Sequence, residues 1–117
     1  MIKKEVVIFH NPRCSKSRKA LDILQENGIS PKIVQYLKKP PTKEEISLIL
    51  QKLNKEPIDI IRKNETFYKE NLKSLSLDRE GWIETLSKHP ILIERPIIIR
   101  GEKAVLGRPP ENVLKLI

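Results

Sequence analysis

Cysteine is almost missing from this chain: of its 117 residues only Cys14 carries a thiol, so no internal disulfide can form and disulfide-built scaffolds are excluded. Aromatic residues are nearly as scarce, being Phe9, Tyr36, Phe67, Tyr68 and Trp82. They are not interleaved with basic residues, as a surface that stacks on nucleobases requires, so nucleic acid is a disfavoured partner. No apolar run approaches the roughly 20 residues of a membrane span, and no membrane association is expected. The lead-in Met1–Glu5 is charged and meets only four apolar residues. With no secretory apolar region and a lone thiol suited to a reducing compartment, a cytoplasmic location is expected. The length suits one hydrophobic core and is too short for two, so a single domain over 1–117 is expected.

Acidic residues are in deficit, 15 against 23 Lys and Arg, for a net charge of +8. That balance favours anionic partners without naming one. Basic residues are spread along the whole chain, often beside acids, as in Lys43-Glu44-Glu45 and Lys69-Glu70, the pattern of a solvated helix face. Arg13, Arg95 and Arg108 stand out by lying next to Gly, Pro or Cys, and Lys16 and Arg18 by following Cys14 within four residues.

Val6-Val7-Ile8-Phe9 is a continuous apolar run closed by Asn11-Pro12, which predicts a buried central strand. Ser15 to Asn27 predicts a helix with Ala20, Leu21, Ile23 and Leu24 on its apolar face, stopped by Asn27-Gly28. A second strand is expected over Lys32–Leu37, parallel to the first because a crossover helix joins them. Thr42-Lys43-Glu44-Glu45 is a capping box, with Ile46, Ile49, Leu50 and Leu53 following at helical spacing. Short helical turns at 57–62 and 65–72 and a helix around Trp82, Ile83 and Leu86 extend this into a helical block over about 42–89. Strands are then expected at Ile91–Ile93, Ile97–Ile99 and Ala104–Leu106, with a turn at Arg100–Lys103 and a final helix over Pro110–Leu116. Strand-helix-strand followed by a hairpin and a closing helix predicts an α/β fold, a thioredoxin-like four-stranded mixed sheet flanked by helices, with the helical block inserted between its halves. In such folds a cis peptide at the proline opening the hairpin, here Pro96, lies beside the cysteine.

Cys14 falls in the turn from the first strand into the first helix, where backbone N–H groups lack intrahelical partners and the dipole is positive. Beside Arg13, Lys16 and Arg18, a thiol so placed is expected to ionise below the ~8.5 of free cysteine and to act as a nucleophile. Ser17 lies on the same helical side and could donate its hydroxyl to the sulfur; His10 could do the same or serve as a local cation. Cys14-Ser15-Lys16-Ser17 has serine where a resolving cysteine would stand, so any redox cycle must use an outside thiol. A phosphatase loop is also incomplete, because position 20, where its arginine is usual, is Ala20.

Four ordered blocks, His10-Asn11-Pro12-Arg13-Cys14-Ser15-Lys16-Ser17-Arg18, Ile61-Arg62-Lys63-Asn64, His89-Pro90-Ile91-Leu92-Ile93-Glu94-Arg95-Pro96 and Gly107-Arg108-Pro109-Pro110, resemble the glutaredoxin-linked arsenate reductase family (ArsC-like) over residues 5 to 117. The resemblance implies that Cys14 attacks arsenate, that His10 and Ser17 keep it ionised, and that Arg62, Arg95 and Arg108 hold the oxyanion. It also implies a thioarsenate adduct, glutathione as co-substrate, glutaredoxin as partner, no bound cofactor and no metal. Two other readings of the fold are a redox-responsive regulator that binds RNA polymerase and a general monothiol reductase. The first lacks its Cys-x-x-Cys switch, and the second gives three arginines no task.

Overall fold

A computed structural model of the chain describes residues 5–117. Residues 1–4, on which the expectation of no secretory segment partly rests, lie outside the described residues. Contacts divide the chain into two compact units, one formed by 1–39 with 95–117 and the other by 40–94.

The first unit holds a four-stranded sheet in the order β2-β1-β3-β4. Its strands are β1 (Val6–Phe9), β2 (Lys32–Val34), β3 (Ile97–Arg100) and β4 (Lys103–Leu106). β1 is central as its apolar run predicted, parallel to β2 and antiparallel to β3, with Ile8 facing both Ile33 and Ile98 in register. β3 and β4 form the hairpin, turning at Gly101 with φ 62°, a left-handed conformation open to glycine at little cost. Helix α1 (Ser15–Glu26) and a 3₁₀ helix (Pro110–Leu116) share one core with the sheet. That core contains Val6, Ile8, Ala20, Leu24, Ile98 and Val113, none more than 5% exposed. Deleting methyl groups there should cost several kcal/mol in total, since such interiors repack only partly. The stop at Asn27-Gly28 is as expected: Gly28 has φ 75°, its N–H reaches Gln25 O at 3.0 Å, and the Ile29 N–H reaches Leu24 O at 3.0 Å. These are the two bonds of a Schellman ending, with Ile29 folded onto the core as its apolar clasp.

β2 is shorter than the predicted Lys32–Leu37. Gln35 O accepts the N–H groups of both Lys38 and Lys39 at 3.0 and 3.1 Å, so the chain turns there and delivers Tyr36, 1% exposed, to the interior. The final helix forms where expected but is wound as 3₁₀ throughout.

The second unit is built from α2 (Lys43–Leu53), α3 (Thr66–Asn71), α4 (Arg79–Lys88) and 3₁₀ turns at Pro57–Ile60 and Pro90–Leu92. The capping box forms as read: Thr42 Oγ1 accepts the Glu45 N–H at 3.1 Å, and Glu45 Oε1 accepts the Thr42 N–H at 3.2 Å. Buried Ile46, Ile49 and Leu50 of α2 and Ile83 and Leu86 of α4 supply the apolar interior as these two helices pack together. The predicted strand Ile91–Ile93 is a correction. Pro90 starts a 3₁₀ turn, and only Ile93 pairs, in a single bridge to Ile61. The pairing continues as Arg62 N–H to Leu92 O at 2.7 Å and Glu94 N–H to Ile60 O at 2.8 Å. These bonds tie 91–94 to the helical unit, which therefore runs on past residue 89.

Candidate active site

The turn that presents Cys14 is assembled by local hydrogen bonds. His10 N–H continues the β1–β2 ladder to Val34 O at 2.9 Å. Beyond it, Asn11 Oδ1 accepts the Arg13 N–H at 3.0 Å, and Asn11 O accepts the Cys14 N–H at 2.9 Å. Asn11 thus uses its side chain to mimic a backbone turn ahead of Pro12. Cys14 is the N-cap of α1 with φ −94° and ψ 122°, and its carbonyl accepts the Arg18 N–H at 3.0 Å. No acidic residue stands in the first turn of α1, which leaves the positive helix end for the sulfur.

Cys14 is half-buried. Burial pushes its thiol up, but the backbone N–H of Ser17, the hydrogen bond and charge of the Arg95 guanidinium, and the backbone N–H of Lys16 outweigh this and hold it below its ordinary value. The shift has the expected direction, with causes partly different from those expected. Arg95, remote in sequence, acts on the sulfur, while Arg13, Lys16 and Arg18 are exposed around the turn. The Arg18 guanidinium donates to Pro12 O at 2.9 Å and so braces the turn.

His10 and Ser17 also occupy roles different from those first expected. Ser17, fully buried, offers its main-chain N–H to the sulfur, whereas its hydroxyl lies 2.6 Å from His10 Nδ1 and accepts the Asn11 N–H at 3.1 Å. His10 is 6% exposed, and its pKa is lowered first by burial and then by the charge of Arg18. Both effects disfavour its charged form and so count against the local-cation role. The arrangement that satisfies every group has Ser17 donating its proton to Nδ1, with the ring proton on Nε2. The pair anchors the N-terminal turn of α1, whose amides face Cys14. Ser17→Ala leaves His10 Nδ1 and the Asn11 N–H buried without this partner, so stability should fall by about 1–3 kcal/mol in urea unfolding. Unchanged stability would show that the network is not structural.

Arg95 precedes Pro96 across a cis peptide bond at the entrance to β3, the junction read from sequence. Its Nε and Nη1 are buried and have no hydrogen-bond partner among the described residues. Unpaired N–H groups of a buried guanidinium are costly, and a bidentate anion is the ligand whose shape answers them. Arg108 is half-buried, begins a second cis peptide to Pro109, and donates from Nη1 to Arg95 O at 3.3 Å. Arg62 belongs to the helical unit, where its Nη1 is 3.0 Å from Glu65 Oε2 in an ion pair with both side chains largely covered. The first unit thus brings Cys14, His10, Ser17, Arg95 and Arg108 into connected local structure. No group of three or more metal-ligating side chains occurs among the described residues.

Sequence reasoning missed several supporting residues. Glu65 carried a readable signal, an acid three residues after Arg62. Gly107 carried only its position before Arg108. A Cβ there would stand 2.6 Å from Pro96 Cγ and 3.1 Å from Ile98 Cδ1, while the Gly107 N–H donates to Pro96 O at 2.8 Å. The proline ring cannot swing away as a flexible side chain could. Gly107→Ala should therefore displace the Arg95–Pro96 segment, costing about 1–3 kcal/mol of stability and slowing turnover. Thermal unfolding measured beside steady-state kinetics checks both, and a variant equal to the parent in both would contradict the packing argument.

The ArsC family model matches residues 9–116. The chain is 43% identical over 116 residues to the uncharacterized protein YfgD of Escherichia coli, covering 97% of this chain and 98% of that one. It is 43% identical over 114 residues to an arsenate reductase of Haemophilus influenzae, covering 96% and 98% of the two chains. Among solved structures, an arsenate reductase from Vibrio cholerae superposes with TM-score 0.94 at 41% identity, covering 99% of this chain and all of that one.

Proposed function

This chain belongs to the ArsC family, and on that footing we propose that it is an arsenate reductase whose nucleophile is Cys14, with glutathione as co-substrate and glutaredoxin as the protein that resets it. The observation that carries this reading is the pairing of one lowered-pKa thiol with one guanidinium whose Nε and Nη1 are buried and unpartnered among the described residues. A thiolate alone suits many redox roles. A thiolate beside donors that still require an anion suits attack on an oxyanion.

The reaction follows from these groups. The Cys14 thiolate forms a bond to arsenic(V), and one arsenate oxygen leaves as hydroxide or, after protonation, as water. Arg95 offsets the charge carried by the remaining oxygens, and Arg108 is read as a second donor to them. Arg62 is read as a third ligand on the strength of the family resemblance. A glutathione thiolate then attacks the Cys14 sulfur. The S–As bond breaks with its electron pair left on arsenic, which becomes trivalent, and Cys14 is joined to glutathione in a mixed disulfide. Exchange with a glutaredoxin thiolate returns Cys14. The two electrons come from two thiols, so no metal or bound cofactor enters the scheme. The serine at position 17 fits this dependence on outside thiols, and the exposed Arg13, Lys16 and Lys19 near the turn suit a co-substrate bearing two carboxylates.

The test is arsenite production with purified glutathione and glutaredoxin, omitting each in turn. Turnover that requires both supports the reading. Absence of turnover, together with recovery of RNA polymerase by the immobilised protein, would favour the regulator instead.

A further inference from the structure

Asn112 is used by nothing in the scheme above, yet its side chain is committed in two directions at once. Its half-buried amide nitrogen donates to Leu106 O at 3.0 Å and to Arg108 O at 3.2 Å. A primary amide has two N–H donors, and these carbonyls take both. The bonds run from the first turns of the Pro110–Leu116 helix to the end of β4 and to the peptide that enters Pro109. They bracket Gly107-Arg108 on either side.

That bracketed dipeptide holds the Arg95–Pro96 segment through three contacts. The Gly107 N–H donates to Pro96 O at 2.8 Å, the bare Cα face of Gly107 lies against the Pro96 ring, and Arg108 Nη1 donates to Arg95 O at 3.3 Å. Arg95 is the residue whose guanidinium faces Cys14. Every link from Asn112 to the sulfur therefore lies within the unit formed by 1–39 and 95–117.

We infer that Asn112 is a positioning residue for the oxyanion site: its amide fixes residues 106–108, which clamp the Arg95–Pro96 backbone and aim the Arg95 side chain at Cys14. The inference rests on the reading of Arg95 as the oxyanion-binding group beside the nucleophile. It adds a residue that touches neither substrate nor sulfur. The amide is required for its donors rather than its size, so Asn112→Asp, equal in shape but without an N–H and with a negative charge against two carbonyls, should fail as Asn112→Ala does.

The test compares Asn112→Ala, Asn112→Asp, Arg95→Ala and Val113→Ala for the rate of Cys14 alkylation across pH, with thermal unfolding measured on each. Val113 is fully buried next to Asn112, and its apolar side chain can supply none of the clamp's hydrogen bonds, so its truncation reports lost core packing alone. A loosened Arg95 should leave less thiolate at neutral pH, since each tenfold loss corresponds to one pKa unit. Both Asn112 variants should alkylate about three- to tenfold more slowly than the parent at neutral pH and recover at alkaline pH, while Val113→Ala lowers the unfolding temperature and keeps the parent pH profile. Parent-like profiles in both Asn112 variants, with Arg95→Ala slowed, would overturn the clamp and leave the proposed function standing. Val113→Ala slowed as much as the Asn112 variants would reduce the effect to lost stability and also overturn it. An unaltered profile in Arg95→Ala would overturn both, because there would be no Arg95 effect to transmit.

Discussion

Arg95→Ala should lose about 10²- to 10³-fold in kcat/KM for arsenate, the scale seen when one donor to a developing oxyanion is removed, and should do so without losing thermal stability. Two consequences of one geometry produce this combination. The Arg95 guanidinium lowers the Cys14 pKa through a hydrogen bond and through its charge, so its removal pushes the acid limb of the pH–rate profile upward toward that of an ordinary thiol. The same side chain keeps Nε and Nη1 buried without partners among the described residues, and each such group costs about 1–3 kcal/mol in the unliganded protein. Removing it relieves that cost, which offsets the packing and the thiolate stabilisation lost with the side chain, so the unfolding temperature of the free protein should hold. Arsenate or phosphate should raise the unfolding temperature of the parent by binding the folded state, and should not raise that of the variant. Arg95→Lys should not restore turnover, because an ammonium lacks the planar paired donors of a guanidinium. A variant with parent kinetics, or one that unfolds far below the parent, would contradict this account of Arg95.

Cys14→Ser should fold and should reduce arsenate at no more than the background rate, a loss of roughly 10⁴-fold or more, since a serine hydroxyl without an adjacent base stays protonated and cannot accept electrons from a second thiol. The pH dependence of stability should change with it. The folded-state pKa of Cys14 lies below that of a free thiol, so ionisation stabilises the fold. That contribution is complete above the unfolded value of ~8.5 and fades as pH falls through the folded value. Denaturant titrations of the parent should therefore show stability rising over that alkaline interval beyond any rise in Cys14→Ser. Equal slopes in the two proteins would mean that the thiolate is no better held in the fold than outside it.

Much of the first unit could be read from local chemistry. The unbroken Val6–Phe9 run and the Asn27-Gly28 stop are decided by their own residues, and both elements form where expected. Thr42 and Glu45 likewise carry a complete N-terminal signal for α2 within four positions. The Ile91–Ile93 run misled because three apolar residues serve equally as a strand or as a buried turn. Pro90 and the bonds back to Ile60 and Arg62 decide for the turn. At the site, Cys14 was legible because its neighbours mark a strand-to-helix turn, and Arg95 because a proline follows it. The division of labour within Ser17, main chain toward the sulfur and hydroxyl toward His10, depends on a contact seven residues apart that no spacing rule supplies. Gly107 and Asn112 were silent for a related reason. Both act through backbone groups of other segments, and nothing in their own side-chain chemistry announces it.

The most direct measurement is the rate of Cys14 alkylation as a function of pH, with and without saturating arsenate. The account predicts a half-maximal rate clearly below the ~8.5 of free cysteine and strong protection by arsenate at neutral pH. A thiol that titrates at or above that value and reacts equally fast in the presence of arsenate would contradict it.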